Sequence, residues 1–237
     1  MQSNSPTVLV KGSSFKSNTA YKGGAIGTLS YYLRQALSVE STDFDSNVAY
    51  QKGGAVAIRS SNDGAVDIST FDISNSKFKD NSVVKRTSGV AYSDAYGGGA
   101  IHTSSATSCS ASDEDSCPRL DTAISSCEFI DSDSWANGGA LFLSATSSYT
   151  TTISAGTVFI GSNASRKGDD IYLAAAGTPT CSATACDAGT FINKTFDTDC
   201  WDASGGEACS CLYATICADC EVMLMRKWHL HACLLPI

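Results

Sequence analysis

Three pairs of nearby aspartates are the residues of this sequence best suited to acid–base chemistry. Enzymatic cleavage of a glycosidic bond uses two carboxyl groups held at a set separation. No histidine and no group of arginines and lysines accompanies any of the pairs. We therefore predict structural or solvated roles for all three, with calcium bound by the last pair as the alternative. The pairs are Asp43 with Asp45, Asp131 with Asp133, and Asp169 with Asp170.

Nucleophilic catalysis has less support still. The chain has three histidines, and His102, which we expect to point outward, is the one that lies outside the C-terminal tail. Serines are abundant, but none lies in the Gly-x-Ser-x-Gly turn of serine hydrolases. The sequence also contains neither common glycine loop for phosphate. We predict that the protein is not an enzyme and that it carries no cofactor.

The eleven cysteines indicate an oxidising compartment outside the cytoplasm. Cys109 and Cys117 bracket an acidic stretch and are candidates for a local disulfide, whereas Cys127 is predicted to face the core. Because the number is odd, one thiol is left free or pairs with a second chain. The other disulfide candidates are Cys181, Cys186, Cys200, Cys209, Cys211, Cys217 and Cys220.

Zinc is the alternative for the last of these cysteines. Two closely spaced pairs at positions 209–220, together with His229 and His231, would supply four ligands. Their spacing fits no established zinc pattern, and thiols of secreted proteins usually oxidise. Disulfides are therefore the preferred interpretation.

Charge and hydropathy exclude several classes of partner. The net charge of −8 and pI near 4.7 argue against nucleic acid and anionic lipid, which clustered lysines and arginines bind. No apolar run approaches the roughly 18 residues of a membrane-spanning helix. The first ten residues lack the basic start and apolar stretch of a signal peptide, which suggests a truncated gene model or a fragment. Asn163 and Asn193 begin sequons and are glycosylation candidates, as in secreted proteins.

The elements that position all these residues come from a repeat of five units. Each unit has a phenylalanine, a small polar residue three positions later, and then a glycine motif. The units follow one another at intervals that mostly fall between 20 and 50 residues, and repeats of this length are typical of solenoids. The phenylalanines are Phe15, Phe44, Phe78, Phe129 and Phe159, and the polar residues are Asn18, Asn47, Asn81, Ser132 and Ser162. The glycine motif begins at Gly23, Gly53, Gly98, Gly138 and Gly168, and its second position is Gly24, Gly54, Gly99, Gly139 and Asp169.

The residues after the glycines predict a strand with one face in the core. Alternate side chains of a strand point to opposite faces. The aliphatic column is Ile26, Val56, Ile101, Leu141 and Ile171, and it should face inward. The intervening column has no common chemistry and should face solvent: Gly27, Ala57, His102, Phe142 and Tyr172. A second strand precedes each phenylalanine and a third contains it. Together with the strand after the glycines, they give three strands per turn, as in a β-helix. A helical repeat is disfavoured by the glycine pairs and the β-branched runs.

Corner geometry accounts for the glycine and asparagine columns. Glycine reaches positive φ without steric penalty, and it leaves room where turns stack at the strand spacing of about 4.8 Å. Asparagine also tolerates the left-handed region, and stacked asparagines can hydrogen-bond from turn to turn. Each buried phenylalanine would contribute about 2–3 kcal/mol.

The repeated Phe-x-x-Asn and Gly-Gly-Ala-Ile/Leu/Val motifs resemble those of the chlamydial polymorphic outer-membrane proteins. Similar repeats occur in right-handed β-helix proteins of algae and other protists, and the resemblance covers about residues 8–175. It implies a pectin-lyase-like right-handed β-helix, exported and displayed on a surface such as the bacterial outer membrane, often as an adhesin. The cysteine-rich C-terminal part is closer to the protist proteins. The fifth unit, RKGDDIYL, departs from the pattern as a terminal repeat should.

We therefore predict an all-β chain in three parts. Residues 1–176 form a right-handed parallel β-helix of about five coils, and 177–222 form a small disulfide-rich module. Residues 223–237 are an atypical tail, which is either disordered, a short amphipathic or membrane-contacting segment, or the product of an erroneous or frame-shifted gene end. The expected function is that of a non-enzymatic, secreted or cell-surface scaffold for adhesion or recognition of protein or glycan. Tyr21, Tyr50, Trp135, Phe142 and Tyr172 would form an outward aromatic stripe. A carbohydrate-active β-helix, cleaving or binding a glycan, is the alternative.

Overall fold

The computed structural model of the chain describes residues 7–29, 36–59, 68–85, 96–104, 119–143, 151–154, 156–173, 180–181, 190–197, 200–202 and 213–219. Every regular element in these ranges is a β-strand. The described part accordingly contains no helix long and apolar enough to cross a membrane. The strands form four parallel sheets and one antiparallel pair.

Neighbouring strands of each parallel sheet come from successive turns of the chain. Sheet 1 contains Thr7–Lys11, Ala36–Glu40, Ile68–Ser74, Arg119–Ser125, Thr151–Ile153 and Thr180–Cys181. Sheet 2 contains the phenylalanine strands Ser14–Lys16, Asp43–Asp45, Lys77–Lys79, Glu128–Ile130 and Val158–Ile160. Sheet 3 contains Thr19–Lys22, Val48–Lys52, Ser82–Val83, Asp133–Ser134 and Asn163–Ala164. Sheet 4 contains Ile26–Leu29, Val56–Arg59, Ile101–Ser104, Leu141–Leu143, Ile171–Leu173 and Cys200–Asp202.

The parallel sheets are stacked in register, which confirms, for the residues that the structure describes, the prediction of an all-β fold with the sheet arrangement of a parallel β-helix. The expectation of three strands per turn is wrong, because sheet 3 supplies a fourth. Sequence patterns missed sheet 3 because the inward side chains of its strands are mostly small. Ala49, Val83 and Ser134 are buried at this position, and none of them gives a strong hydrophobic signal.

The core contains a continuous stack of phenylalanine rings. Phe15, Phe44, Phe78, Phe129 and Phe159 lie in register on successive strands of sheet 2. Neighbouring ring centroids are 4.6–5.2 Å apart, and the ring planes are nearly parallel. The last four rings are buried, whereas Phe15, on the first strand of the sheet, is half-buried. Burial of each side chain stabilises the fold by about 1.5–3 kcal/mol.

The two glycines of each pair serve different purposes. The first has a left-handed backbone, with φ of 56° at Gly53, which glycine adopts most readily. The second lies against the next turn: a Cβ on Gly54 would be 2.0 Å from the carbonyl oxygen of Gly99. Asp169 occupies this second position in the fifth unit, and its carbonyl is the group that a Cβ on Gly139 would meet.

The asparagine column forms a hydrogen-bonded ladder between turns. Asn18 donates from Nδ2 to Oδ1 of Asn47 over 2.8 Å, and Asn47 donates in the same way to Asn81 over 3.0 Å. The same Oδ1 atoms also accept the backbone N–H of the preceding asparagine. The left-handed residue of this corner is the one before the asparagine, with φ of 54° at Ser17 and 56° at Ser46. The expectation that asparagine itself takes that conformation is wrong: the preceding residue makes the bend, and asparagine contributes the side-chain ladder.

The column after the glycines that was expected to face solvent is largely covered. Ala57, His102, Phe142 and Tyr172 are all buried, yet they lie outside the hydrophobic core cluster that contains their neighbours Val56, Ile58, Ile101, Leu141, Leu143, Ile171 and Leu173. Gly27, in the first turn, is exposed. The alternating pattern of the strand therefore predicts correctly which face each side chain is on, but it predicts the solvent exposure of the outer face wrongly. A strand pattern specifies which way a side chain points, but not what packs over it.

Strands of the C-terminal part extend two of the parallel sheets. Thr180–Cys181 pairs with Thr151–Ile153, and Cys200–Asp202 pairs with Ile171–Leu173. Thr190–Asp197 and Tyr213–Asp219 form the antiparallel pair.

Candidate functional site

Asp43 and Asp45 belong to a row of charges on the outer face of sheet 2. Asp45 forms an ion pair of 2.9 Å with Lys16 and accepts a hydrogen bond of 2.6 Å from Ser46. The Ser46 hydrogen bond, followed by the contact with Lys16, lowers the pKa of Asp45. Asp43 lies in register with Lys77 of the next turn. A carboxyl group with a lowered pKa stays ionised and is a poor general acid. Asp45 links its turn to the preceding one through Lys16, whereas the ion pair of Lys77 is made with Glu128.

Asp131 and Asp133 lie at the exposed corner between sheets 2 and 3. Asp131 has a left-handed backbone with φ of 48°. Partial burial raises the pKa of Asp133, the negative charges of Asp131 and Asp80 raise it further, and a hydrogen bond with Asn163 opposes them. Partial burial is therefore the main cause of the raised pKa of Asp133, and the neighbouring negative charges add to it.

Asp169 and Asp170 do not form a pair on one face. Asp169 is exposed and accepts the backbone N–H of Ala164 over 3.0 Å. Asp170 is buried. Its carbonyl oxygen accepts the backbone N–H groups of Ala140 and Leu141, and the alanine of the other units accepts two backbone N–H groups of the preceding turn in the same way. Asp170 therefore occupies the alanine position of its unit. Among the described residues, no group of three or more histidine, cysteine or acidic side chains is placed to hold a metal ion.

His102 is buried, with 1% of its surface exposed, and the expectation that it points into solvent is wrong. Its ring stacks on Phe142 with centroids 4.3 Å apart. Nδ1 lies 3.1 Å from the carbonyl oxygen of Gly97, and Nε2 has no hydrogen-bond partner within the described structure. Burial lowers the pKa of His102 well below its ordinary value, and the positive charges of Lys52 and Lys22 lower it further. The ring is therefore neutral, and Nδ1–H donates to Gly97.

A cavity of about 170 Å³ lies beside His102. The small residues Gly27 and Ala57 line it where later turns carry Phe142 and Tyr172 in the same column. Lys22 and Lys52 line it from the ends of their sheet 3 strands, where they lie in register. We call this the lysine–histidine cavity; the side chains that line it include Lys22, Lys52, His102, Thr28 and Ser104.

Sequence reasoning missed this cavity, because the lysines and arginines looked dispersed along the chain. A signal was present: a lysine directly precedes the first glycine position in three of the five units, at Lys22, Lys52 and Lys167. Residues separated by 30 positions in the sequence become neighbours when one turn stacks on the next. The repeat thus gathers charges that look scattered in the linear sequence.

Three aromatic side chains and one glutamine from successive turns meet along sheet 3. We call this group the aromatic edge: Tyr21, Gln51, Tyr96 and Trp135. Gln51 donates from Nε2 to the hydroxyls of Tyr21 and Tyr96, over 2.5 and 2.8 Å. The rings of Tyr96 and Trp135 are 5.9 Å apart and inclined by 56°. Lys85 lies 5.9 Å from the centre of the Trp135 ring.

The aromatic edge corrects the expected aromatic stripe. Phe142 and Tyr172, two of its predicted members, are buried. Tyr21 is exposed, and Tyr50 and Trp135 are half-buried. Tyr96, which the sequence did not single out, joins Tyr21 and Gln51 because all three lie two positions before the first glycine of their units, and stacking brings like positions together.

The cysteine and sequon predictions are mostly untested. Cys127 is a buried free thiol that belongs to the core, as expected. Cys109, Cys117, Cys186, Cys209, Cys211, Cys220, His229, His231 and the tail at 223–237 lie outside the described residues. Only the backbone is described at Cys181, Cys200, Cys217 and Asn193. Asn163 is exposed at the start of its strand.

The fold thus defines the class of this chain: an all-strand repeat protein with parallel sheets stacked in register. No protein-family model matches the chain. No curated protein and no solved structure matches it either.

Proposed function

We propose that this chain is a non-enzymatic recognition scaffold, secreted or displayed on a cell surface, that contacts protein or glycan on another surface. The aromatic edge carries this proposal. Its rings come from different turns, and hydrogen bonds through Gln51 hold two of them before any partner arrives. Aromatic rings with a polar group or a nearby cation are typical anchors of binding surfaces, and prior order lowers the entropy cost of binding.

The finer architecture belongs to the same proposal. The scaffold is a right-handed parallel β-helix of about five coils, with a small disulfide-rich C-terminal extension. Five sequence units support the number of coils. Right-handedness is supported by the strong general preference for right-handed connections between parallel strands. The resemblance to the polymorphic outer-membrane proteins supports the pectin-lyase-like type.

An extracellular location is supported by composition. Eleven cysteines in a chain with few charges favour an oxidising compartment. Asn163, the first residue of a sequon, is exposed and therefore accessible to glycosylation. The odd number of cysteines leaves a disulfide to a second chain as a further means of display.

Binding assays on cells and glycan arrays test the proposal. The substitutions Tyr21→Ala and Tyr96→Ala, made together, remove the two rings that Gln51 holds. We expect them to weaken binding at least tenfold. Leu9→Ala is the matched control, because Leu9 is an exposed apolar residue on sheet 1, away from the aromatic edge. If both variants bind as the wild type does, or if the wild type binds neither cells nor glycans, the proposal fails.

The second candidate is a carbohydrate-active β-helix. The lysine–histidine cavity favours it, because it supplies the local positive charge that an acidic polysaccharide would need on a net negative chain. Its catalytic form is tested by incubating purified protein with uronic-acid polymers and measuring chain length. Turnover that depends on Asp133 or on His102 would replace the non-enzymatic proposal with this one.

A further inference from the structure

We propose that the protein forms a two-fold symmetric dimer through the open end of its first turn, residues 7–29, so that two stacks of turns meet head to head. This goes beyond the recognition role proposed above and does not rest on it. Exposed core positions, free strand edges and the difference between the two ends of the stack support it in turn.

The first turn leaves the inward columns of the fold uncovered. Val8 has 51% of its surface exposed, whereas Leu37, which lies in register with it on the second turn, has 8%. Four more inward residues of the first turn are only partly buried, although their partners on the second turn are fully buried. They are Val10, Phe15, Ala20 and Ile26, in register with Val39, Phe44, Ala49 and Val56. The apolar interior therefore reaches solvent at this end.

The same turn also presents free strand edges. Each of its four strands lies at the end of a sheet, with no further strand beside it among the described residues. They are Thr7–Lys11, Ser14–Lys16, Thr19–Lys22 and Ile26–Leu29. The backbone N–H and C=O groups along such an edge pair readily with another strand. A terminal repeat that acts as a cap has a polar outer face instead, so the first turn has the character of an interior turn.

The other end of the stack is covered. Phe159, the last ring of the phenylalanine stack, is 4% exposed, and Leu173 on sheet 4 is buried as well. Thr180–Cys181 and Cys200–Asp202 lie beyond the fifth unit in sheets 1 and 4. Head-to-tail stacking needs both ends to be open. The open end therefore pairs with the same end of a second copy, which defines a two-fold axis and a closed dimer.

The size of the surface suits a dimer. An interface of standard size uses about 20–30 residues from each partner, and residues 7–29 are a segment of this length. The five exposed inward side chains of this turn are all apolar. Removal of apolar surface from water is the main favourable contribution to association, and pairing of the strand edges gives it direction.

A two-fold axis across the stack determines how the strands meet. It reverses the strand direction of the second copy, so the facing edges pair antiparallel. A pair centred on Phe15 brings the two Phe15 rings together and continues the ring column of sheet 2 into the second copy. Ser14 then lies opposite the second copy's Lys16, so that no lysine faces a lysine within this strand pair.

The charges of the first turn do not oppose the contact. Lysines on an open edge commonly prevent strand pairing. Here Lys11 and Lys16 each form an ion pair of 2.9 Å with an acid of the second turn, Glu40 and Asp45. Both lysines are exposed on the outer face of their strands, away from the open interior. Their charges are thus compensated within one copy.

Sedimentation velocity of the full chain at increasing concentration tests the dimer. We expect one reversible transition from the chain mass of 24.7 kDa to twice that mass. A monomer at all concentrations up to about 500 μM overturns the proposal. A series of growing oligomers also overturns it, because head-to-head pairing stops at two copies. A dimer that persists on a denaturing gel without reductant is held by a disulfide and overturns it as well.

Two lysine substitutions on one strand locate the interface. Val8→Lys places a charge at the open end and should weaken dimerisation at least tenfold. Leu9→Lys is the matched control, because Leu9 is also exposed but points to the opposite face of the same strand. We expect it to leave dimerisation unchanged. Equal effects of the two substitutions on the dimerisation constant contradict the proposed surface.

Hydrogen exchange locates the contact without any substitution. Amides of residues 7–29 should exchange more slowly where the dimer forms than after dilution to the monomer, because strand pairing protects them. Amides of Lys77–Lys79, in the middle of sheet 2, should exchange at the same rate in both samples. Protection elsewhere, with residues 7–29 unchanged, would indicate a different interface and refute the head-to-head dimer.

Discussion

His102 and Phe142 stack with ring centroids 4.3 Å apart and planes inclined by 14°, one turn of the chain separating them. Both side chains lie outside the hydrophobic core cluster, and both are buried. Phe142 in turn packs against Tyr172 with centroids 5.3 Å apart. The column outside sheet 4 is thus a second row of packed rings beside the phenylalanine stack of sheet 2, with the Phe142 and Tyr172 rings inclined by 43°. Its first two turns open into the cavity.

His102 should make the fold sensitive to acid. Its pKa is lowered in the folded protein, chiefly by burial, so the unfolded chain binds more protons below a pH of about 6.5. Stability therefore falls as the pH falls through this region. Relative to His102→Phe, the wild type should lose about 1 kcal/mol between pH 7.5 and 5.5, measured by urea unfolding at each pH. His229 and His231 are present in both proteins, so their effects cancel, and parallel pH profiles would contradict the buried neutral histidine.

Asn47 should be the most sensitive position of the asparagine ladder. Its side chain is buried and exchanges hydrogen bonds with the turns on both sides. Asn47→Ala leaves several buried polar groups unpaired and should lower the free energy of unfolding by about 3 kcal/mol. Asn18→Ala, at the exposed end of the ladder, should cost about 1 kcal/mol. Equal losses in chemical denaturation would show that the ladder does not act through buried hydrogen bonds.

Two glycine substitutions should distinguish close approach from backbone conformation. Gly54→Ala places a methyl group 2.0 Å from the Gly99 carbonyl oxygen, so we expect a loss of more than about 4 kcal/mol or no folded protein. Gly12 has φ of 57°, but nothing lies within 4 Å of an added Cβ. Gly12→Ala should therefore cost only about 1–2 kcal/mol, the penalty of the left-handed region. Thermal unfolding of the two variants measures this difference, and similar losses would refute the separate roles.

Cys127 should be chemically inert in the folded protein. Burial raises the pKa of its thiol to about 11, and Sγ donates to the carbonyl oxygen of Ser125 over 3.2 Å. Iodoacetamide at pH 8 should leave the Cys127 peptide unlabelled under native conditions and label it in denaturant, as read by mass spectrometry. Cys127→Ser should fold, because Ser76 makes the equivalent bond to Ser74 one turn earlier. Native labelling of Cys127 would contradict its burial.

Much of the architecture could be predicted from the spacing of a few residue types. Phenylalanine, asparagine and glycine at repeated intervals are enough to indicate strands stacked turn on turn, because each type meets one steric or polar requirement of that arrangement. Sheet 3 escaped prediction because its inward residues, such as Ala49 and Ser134, are too small to mark a strand. The exposure of His102 and Phe142 escaped it too, since alternation does not say what covers a face.

The sequence by itself therefore determined the repeat, the inward columns and the parallel stacking, all of which depend on short-range periodicity. Only the tertiary structure decided which side chains of different turns meet. Lys22 and Lys52 share a cavity with His102, and Tyr21 reaches Tyr96 through Gln51, although 30 to 80 residues of chain separate their members. The physical reason is that stacking brings like positions of successive turns to within one strand spacing, whereas a repeat pattern does not specify which side chains pack over the outer face of a strand.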